Sequence, residues 1–406
     1  MRIAFFTDSF HPELGGIQDS ILLTARALGE RGHTVVLYAP SASPRDFRLA
    51  GLPVKEVDLG ERVQVRRLFS VPVPSSTGQS RLLLPTGRRW RGLASWEPDV
   101  LHTHTFLGAG WEALTAARHL RVPLVGTNHW AIGEFSMYAP FAARQFARYS
   151  VKAATGYYNR CTLVTGPSRS VVDEMLASGL GRPAHVVSNP IDTELFRPGE
   201  PDERQALKRH LGFSDSTILY AGRLAVEKNI DVLVRALATV VRELPDAMLA
   251  LAGHGTARPR LERLAAECGV GHRLKFLGTL DKPALARAYR AADVFAIAST
   301  SETQSMVLLQ AMSSGLPAVG ARWRALPEYI ADDAGLLAEP GDAGQFAAHL
   351  LSLLREPSMR ARMGERAAAR ARRFGLTETV AAWDRIYAAV HAARAIEQHN
   401  EQGAFG

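Results

Sequence analysis

An acidic residue in the last third of the chain lies between a strand pattern and a helix pattern. The apolar run 291–298 has the length of a buried parallel strand, and from Met306 onward apolar residues recur at helical spacing. Glu302 therefore follows the carboxyl end of a strand and precedes a helix N-terminus, where free backbone N–H groups attract anions and hydroxyl oxygens. A carboxylate there can accept hydrogen bonds from sugar hydroxyls, although an acid that only caps the helix dipole would occupy the same place.

Two cations five residues apart follow another strand pattern. The run 218–222 ends in a glycine, and Arg223 and Lys228 come after it. A diphosphate leaving group needs such positive charge, because negative charge develops on it as its bond to a sugar breaks. Solvated loop cations are the alternative interpretation. Further switches from strand to glycine at 248–255 and 274–278 indicate the rim of a doubly wound sheet, where ligands bind.

A glycine pair opens the first helix pattern of the N-terminal half. Residues 2–8 predict a strand and 18–30 a helix, with Gly15 and Gly16 between them. The pair lets backbone N–H groups approach a phosphate closely, and the helix dipole favours its charge. The spacing is not the Gly-x-Gly-x-x-Gly of a nicotinamide site. For the glycine pair alone, a tight turn without a ligand is the simpler interpretation.

Three histidines lie at the ends of two further strand patterns, 99–104 and 122–129. His102 is expected to be a core residue that is hydrogen-bonded by its neighbours, and His104 is intermediate between core and site. The residues also leave a core role open for His129. A zinc site is not indicated, because neither cysteine nor a second ligand set has the required spacing.

Together these patterns resemble the retaining nucleotide-sugar glycosyltransferases of the GT-B fold, of the group 1 and family 4 type. The resemblance covers nearly the whole chain. It implies an α/β fold of two facing Rossmann-like domains with a cleft between them, and a C-terminal helix that crosses back to the N-terminal domain. It also implies retention of the anomeric configuration. No Asp-x-Asp pair is present, so we expect no metal and no cofactor, since the nucleotide sugar is itself the substrate.

The resemblance assigns roles to individual positions. His129 and Glu302 would orient the transferred sugar, while Arg223 and Lys228 would hold the diphosphate. The donor-binding positions would be Gly15, Gly16, Gly222, Gln304, Ser305, Met306 and Gln310. The family signature is Glu, seven residues, Glu, whereas this chain has Gln310 at the second, ribose-binding position. A neutral amide gives weaker hydrogen bonds than a carboxylate, which keeps a noncatalytic sugar-nucleotide-binding protein open as an alternative.

The segment after His129 resembles the glycolipid-forming members of the family, such as diacylglycerol glucosyltransferases. A helix predicted from 140 to 152 places three cations on one face beside aromatic residues, and 88–91 forms a second basic and aromatic cluster. Such a surface suits anionic lipid, although an ordinary solvated helix face explains the same residues. The candidate acceptor or membrane residues are Glu134, Tyr138, Arg144, Arg148 and Lys152.

Length and composition set the domain organisation and the partners. A chain of 406 residues with 47% hydrophobic residues is expected to form two domains. We predict an acceptor-side domain at 1–198 with a returning helix at 376–396, a nucleotide-sugar domain at 199–375, and a frayed tail at 397–406. The net charge of +8 suits sugar nucleotides and anionic lipid headgroups, and no nucleic-acid module is recognised.

The same features predict a location. Two widely separated cysteines suggest reduced thiols, and neither a signal peptide nor a membrane span is recognised. The chain is therefore expected in the cytoplasm, with peripheral contact at the inner face of the cell membrane.

The predicted function is hexose transfer from a nucleotide sugar to an acceptor hydroxyl on a membrane lipid or lipid-linked glycan. A UDP-sugar such as UDP-glucose is favoured, because the Glu-Thr-Gln form of the motif resembles that of UDP-sugar users, and GDP-mannose is the alternative donor. Besides the noncatalytic binding protein, two other functions remain open: a transferase for a soluble or polysaccharide acceptor, and a sugar-nucleotide epimerase.

Overall fold

The computed structural model describes residues 1–73, 78–131, 143–330 and 333–403, with the backbone alone at 143, 144, 146, 147 and 397–403. The chain divides into two compact units. The first unit comprises Met1–Pro190 and Leu376–Gly406, and the second comprises Ile191–Gly375. Each unit has a parallel sheet covered by helices, so the predicted α/β class is confirmed.

Strands and helices alternate along the chain. The elements up to residue 190 are β1 (Arg2–Phe6), α1 (Gly16–Glu30), β2 (Thr34–Pro40), α2 (Pro44–Ala50), β3 (Val63–Leu68), β4 (Ser70–Pro72), β5 (Arg81–Leu83), α3 (Trp90–Ala94), β6 (Val100–Thr103), α4 (Gly108–Leu120), β7 (Leu124–Thr127), α5 (Ala143–Tyr158), β8 (Leu163–Gly166), α6 (Arg169–Ala177) and β9 (Ala184–Val186). The later elements are α7 (Pro201–Leu211), β10 (Thr217–Ala221), α8 (Ile230–Glu243), β11 (Met248–Ala252), α9 (Arg258–Glu267), β12 (Leu274–Gly278), α10 (Lys282–Ala291), β13 (Val294–Ile297), α11 (Met306–Ser313), β14 (Ala318–Ala321), α12 (Leu326–Tyr329), β15 (Gly335–Ala338), α13 (Ala343–Arg355), α14 (Pro357–Ala371) and α15 (Leu376–Gly403).

The sheet of the first unit has the strand order β3-β2-β1-β6-β7-β8-β9, with every pairing parallel. Chain order reverses between β1 and β6, and the β4–β5 hairpin lies outside this sheet. Inner strands such as β1 and β6 are short apolar runs buried on both faces, which is why they read as continuous hydrophobic stretches in the sequence. In open α/β sheets ligands bind at the carboxyl edge beside such a reversal.

The last helix, α15, packs onto the first unit. Trp383 and Tyr387 lie in one buried cluster with Ile3 and Phe5 of β1. The predicted return of the C-terminal helix to the N-terminal domain is therefore confirmed. The tail that we predict to be frayed lies partly outside the described residues: the α15 backbone extends to Gly403, and 404–406 are not described.

The sheet of the second unit has the order β12-β11-β10-β13-β14-β15, again with every pairing parallel. Its chain order reverses between β10 and β13. The helices around it are fixed by local chemistry: Asp281 caps α10 by accepting the Ala284 N–H at 2.8 Å, and Gly212 ends α7 in the left-handed conformation at φ 61°. Because β10 and β13 are parallel neighbours, the loops that follow them lie side by side at one edge of this sheet.

His102 is a core residue of the first unit, as predicted. One ring nitrogen lies 2.7 Å from the Tyr387 hydroxyl and the other 2.7 Å from the Thr127 hydroxyl, and the side chains are buried. Both nitrogens are satisfied within the fold. The Tyr387 bond also joins the C-terminal helix to the sheet.

A Tyr387→Phe variant tests this bond. The change leaves a buried His102 nitrogen without its partner, so the free energy of unfolding should fall by about 1–3 kcal/mol. Urea unfolding followed by circular dichroism measures the loss. Tyr149→Phe is the matched control, because that tyrosine is 75% exposed and should tolerate the change. Equal stability of both variants would contradict the structural role of the hydroxyl.

Candidate functional site

The second unit brings a predicted acid and a predicted cation together. Lys228 Nζ lies 2.7 Å from Glu302 Oε1 and 3.3 Å from the Ser301 hydroxyl. The side chains of this ion pair are only 17% and 12% exposed. The pair joins the loop after β10 to the loop after β13, which are the two strands between which chain order reverses. The predicted site residues thus lie where an open α/β sheet binds its ligands.

Glu302 is ionised at neutral pH. Burial alone would raise its pKa, but the charge and hydrogen bond of Lys228, a hydrogen bond from Ser299 and the charge of Arg223 together hold the pKa below its ordinary value of 4.5. The carboxylate is therefore an acceptor of hydrogen bonds and not a proton donor at neutral pH.

Arg223 is the second predicted cation at this edge. Its side chain is 41% exposed, and one guanidinium nitrogen lies 2.9 Å from Glu227 Oε1. Its backbone carbonyl accepts the Tyr220 hydroxyl at 3.0 Å. Glu227 was not predicted as a site residue. Its spacing of four residues from Arg223 is the only signal that the sequence offers.

Glycines make the close approach of two turns here feasible. Gly222 has φ 139° and Gly253 has φ 138°, a region that favours glycine. A Cβ at Gly253 would lie 1.9 Å from the Gly222 carbonyl oxygen. The turn after β11 can therefore approach the turn after β10 this closely only because residue 253 has no side chain. Gly222 thus has a backbone role here, whatever its predicted role in donor binding.

The predicted donor-binding helix begins at Met306. Ser305 caps it by accepting the Leu308 N–H at 3.3 Å, and Gln304, Ser305 and Met306 are all buried. Gln310 is also buried, and its Oε1 has no hydrogen-bond partner among the described residues. An unsatisfied buried acceptor is rare, so this oxygen is suited to a ligand hydroxyl.

The first unit holds the remaining predicted site residues. Gly15 caps α1 and Gly16 begins it, and both are exposed. His129 is buried after β7, with its Nε2 3.1 Å from His104 Nδ1. Burial lowers the pKa of His129 to about 4, although a hydrogen bond with the Asn189 side chain acts in the opposite direction. The ring is therefore neutral at physiological pH.

Asp8 is a half-buried acid at this edge that the sequence pattern did not single out. Its carboxylate accepts the Ala109 N–H at 3.0 Å and the Thr105 hydroxyl at 2.8 Å. Burial raises its pKa, and these two hydrogen bonds partly oppose the shift. Its position at the end of β1, where chain order reverses, was the signal available in the sequence.

The predicted acceptor residues are described only in part. Glu134 and Tyr138 lie outside the described residues, as does the side chain of Arg144. Arg148 and Lys152 lie on α5 with exposed side chains.

Among the residues that the structure describes, no three His, Cys, Asp or Glu side chains form a group that could hold a metal ion, and no helix is long and apolar enough to cross a membrane.

Comparisons with known proteins match both units. The family model of glycosyl transferases group 1 matches residues 203–370, and that of Glycosyltransferase Family 4 matches 14–195. The chain is 33% identical to a D-inositol 3-phosphate glycosyltransferase of Xylanimonas cellulosilytica over 404 residues, which covers 93% of this chain and 92% of the relative. It is 27% identical to the alpha-monoglucosyldiacylglycerol synthase of Streptococcus pneumoniae over 329 residues, 79% of this chain and 70% of the relative.

Solved structures show the same fold. The crystal structure of Anabaena Alr3699/HepE in complex with UDP matches with a TM-score of 0.75 and 20% identity, covering 96% of this chain and 100% of that one.

Replacing Lys228 by Met tests the buried ion pair. Because the pKa of Glu302 is lowered in the folded protein, its carboxylate stabilises the fold above the ordinary value of 4.5, and this stabilisation is lost as pH falls through the folded pKa. Without Lys228 the free energy of unfolding should fall by about 3–5 kcal/mol at pH 7, and by less near pH 4.

The measurement is urea unfolding at both pH values. Arg258→Met is the control, since Arg258 pairs with Glu262 at 2.8 Å on the surface and should contribute less than about 1 kcal/mol. A deficit that does not depend on pH would count against the proposed ionisation of Glu302.

Proposed function

Because this chain belongs to the GT-B glycosyltransferases of the group 1 and family 4 type, we propose that it transfers a hexose from a nucleotide sugar to an acceptor hydroxyl on a membrane lipid or lipid-linked glycan, with retention of configuration. The observation that supports this most directly is the Lys228–Glu302 pair at the carboxyl edge of the second sheet. In this pair the ionised carboxylate of Glu302, which can accept hydrogen bonds from sugar hydroxyls, lies beside the ammonium group of Lys228, which can bind a phosphate. Family and fold agree with the resemblance that the sequence motifs carry.

The donor diphosphate would bind by exchanging ionic partners. Without a ligand, Lys228 pairs with Glu302 and Arg223 pairs with Glu227, so two cations balance two carboxylates. A diphosphate can draw both cations to its oxygens, because charge-assisted bonds to phosphate are strong and Arg223 is accessible. Glu302 is then released to accept hydrogen bonds from hydroxyls of the transferred sugar.

Catalysis in this proposal is mainly electrostatic. Arg223 and Lys228 stabilise the negative charge that develops on the leaving diphosphate, and the N–H groups at the start of α11 contribute in the same direction. These groups take the place of a metal ion. Glu302 orients the sugar without donating a proton, since its pKa lies below 4.5. The leaving phosphate itself then helps to deprotonate the attacking hydroxyl on the same face of the sugar.

The proposed donor is a UDP-sugar, with GDP-mannose as the alternative. The buried Oε1 of Gln310, for which the described part of the chain offers no hydrogen-bond partner, is a suitable acceptor for a ribose hydroxyl, which supports binding in spite of the missing glutamate. The solved complex of Anabaena HepE contains UDP, and the motif of this chain resembles that of UDP-sugar users. The donor-binding role predicted for Gly15 and Gly16, which are exposed at the start of α1, stays a prediction.

The proposed membrane contact is supported by the charge of three helices in the first unit. Within α3, α4 and α5 the one acid is Glu112, which is buried and accepts backbone N–H groups of Thr86, Gly87 and Arg89. Its charge therefore does not oppose a negatively charged membrane. The exposed cations among the described side chains of these helices are Arg91, Arg118, Arg148 and Lys152, and the exposed Arg88 and Arg160 lie just outside them.

Exposed aromatic residues accompany these cations. Tyr149 lies on α5, and Trp111 on α4 is 43% exposed, with the Arg160 guanidinium 5.2 Å from its ring centroid. Cations with exposed aromatic rings suit the headgroup region of an anionic bilayer. We therefore propose that α4 and α5 contact the inner face of the cell membrane, where a lipid acceptor is available.

Incubation of the purified protein with UDP- and GDP-sugars and a bacterial lipid extract tests the proposed function. Mass spectrometry of the organic and aqueous phases should find a hexose-bearing lipid and the free nucleoside diphosphate. Donor turnover with an unchanged organic phase would contradict the lipid acceptor and favour a soluble acceptor or an epimerase. Binding of donor without any turnover would favour the noncatalytic alternative.

Arg223→Ala and Lys228→Ala test the electrostatic role. Each should lower turnover by about a hundredfold, because a stabilising charge at the leaving group is removed. Steady-state rates at saturating donor measure the effect, and Arg242→Ala serves as a control of equal charge change, because that exposed arginine lies in the last turn of α8, away from this edge. Unchanged turnover in both variants would contradict the proposed contact of these two cations with the diphosphate.

A double charge reversal, Arg148→Glu with Lys152→Glu, tests the membrane contact. Sedimentation with vesicles that contain about 30% anionic lipid should show at least tenfold weaker binding, since each cation near an anionic surface contributes about 1 kcal/mol. The matched control reverses Arg260 and Arg263, two exposed cations on α9. An equal loss of vesicle binding in both double variants would show that only the net charge matters, and it would contradict a defined membrane surface.

A further inference from the structure

Asn229 joins the loop after β10 to the loop after β13 through neutral hydrogen bonds. Its side-chain amide nitrogen lies 3.3 Å from the Ala298 carbonyl oxygen and 3.1 Å from the Thr300 hydroxyl. A carbonyl oxygen can only accept a hydrogen bond, so the nitrogen of the amide, and not its oxygen, must face Ala298. These contacts therefore fix the orientation of the Asn229 side chain.

The backbone at Asn229 does not by itself require an asparagine. The residue directly precedes α8 and has φ 50° and ψ 38°, in the left-handed region, which glycine adopts without steric cost. An asparagine before a helix usually accepts a backbone N–H of the first turn, but the Asn229 side chain makes no such bond. Its amide is used for the contact between the two loops instead.

Consecutive residues join these loops in two different ways. Lys228 contacts the Ser301 hydroxyl and Glu302 through its charged ammonium group, whereas Asn229 contacts residues 298 and 300 through a neutral amide. Ser299 lies between the two residues that Asn229 contacts, and it donates a hydrogen bond to Glu302. Asn229 thus holds the start of the loop 298–302, and Lys228 holds its acidic end.

The two contacts respond differently to a diphosphate. In the proposed function Lys228 turns from Glu302 to the donor, so the ionic contact between the loops is lost when the donor binds. The hydrogen bonds of Asn229 do not involve that ammonium group, so they can persist while Lys228 changes its partner. A shift of about 1 Å in a reacting geometry can lower a rate a hundredfold, so the acid that orients the sugar needs such a fixed contact.

We propose that Asn229 is a positioning residue, whose side-chain amide holds the loop 298–302 against the loop after β10 so that Glu302 keeps its place when Lys228 binds the donor diphosphate. The contact between the loops stands on the hydrogen bonds alone. Its role in sugar transfer rests on the proposed function.

Hydrogen exchange tests the contact in the ligand-free full chain. The Ser301 N–H donates to the Ser299 hydroxyl oxygen at 3.3 Å, so its exchange rate reports whether the loop keeps its conformation. In Asn229→Gly we expect this N–H to exchange about tenfold faster, since two hydrogen bonds that hold the loop are lost. In the charge-free variant, Lys228→Met with Glu302→Gln, the amide remains and we expect nearly the wild-type rate. A charge-free variant that exchanges as fast as Asn229→Gly, or a wild-type rate in Asn229→Gly, would overturn the proposal.

Two variants at the same position separate the amide from the backbone. Asn229→Gly lacks the amide and adopts the left-handed conformation freely, whereas Asn229→Ala lacks the amide and is also strained there. In both variants we expect kcat with the active donor to fall about tenfold or more, with a smaller change in donor KM, because the acid that orients the sugar is no longer held in place. If only the backbone mattered, Asn229→Gly would retain the wild-type kcat while Asn229→Ala lost activity, and that outcome would overturn the positioning role.

A second background tests whether the effect passes through Glu302. In Glu302→Gln protein, adding Asn229→Gly should change kcat by no more than about twofold, because the acid that Asn229 positions is already absent. The same loss as in the wild-type background would contradict this route. If no UDP- or GDP-sugar is turned over at all, the proposed function fails and the catalytic role of Asn229 fails with it. The exchange rate of the Ser301 N–H still decides whether Asn229 holds the loop, so the two failures are distinguishable.

Discussion

The candidate donor site depends on one ion pair, Lys228 with Glu302, which is mostly buried at the carboxyl edge of the second sheet. Neither charge is stable there alone, since an isolated buried charge costs several kcal/mol. The pair therefore links two loops that come from different strands. It also explains how the site can be stable without a ligand and yet receive a diphosphate, because a phosphate can replace the carboxylate as the partner of the cation.

The candidate site of the first unit contains neutral histidine rings, whereas that of the second unit contains a charged lysine and a charged glutamate. His102, His104 and His129 of this unit are buried and uncharged, and hydrogen bonds in the core orient them, including the one between His102 and the Tyr387 hydroxyl of the returning helix. Exposed cations lie on α3, α4 and α5 of this unit, and the single acid within these helices is buried. This division is consistent with a donor whose diphosphate is held by the second unit and an acceptor found at an anionic surface.

Much of the fold could be predicted from local patterns. Strand and helix positions follow from apolar runs and helical spacing, as at β13 and α11, and the two-domain class follows from length. The partners of individual side chains could not be predicted. Asp8 binds an N–H at residue 109, and His129 contacts His104 and Asn189, which are separated from it by 25 and 60 positions in the sequence.

The sequence by itself determined the kinds of groups available: a carboxylate and two cations after strand ends, a glutamine in place of a glutamate, and histidines at two neighbouring strands. The family resemblance rests on these residues and their spacing. Only the tertiary structure decided which groups meet and in what state they are. Parallel strands bring their carboxyl ends to one edge regardless of separation along the chain. Burial and neighbouring charges then set the ionisation, so that Glu302 is charged beside Lys228 while buried His129 is neutral.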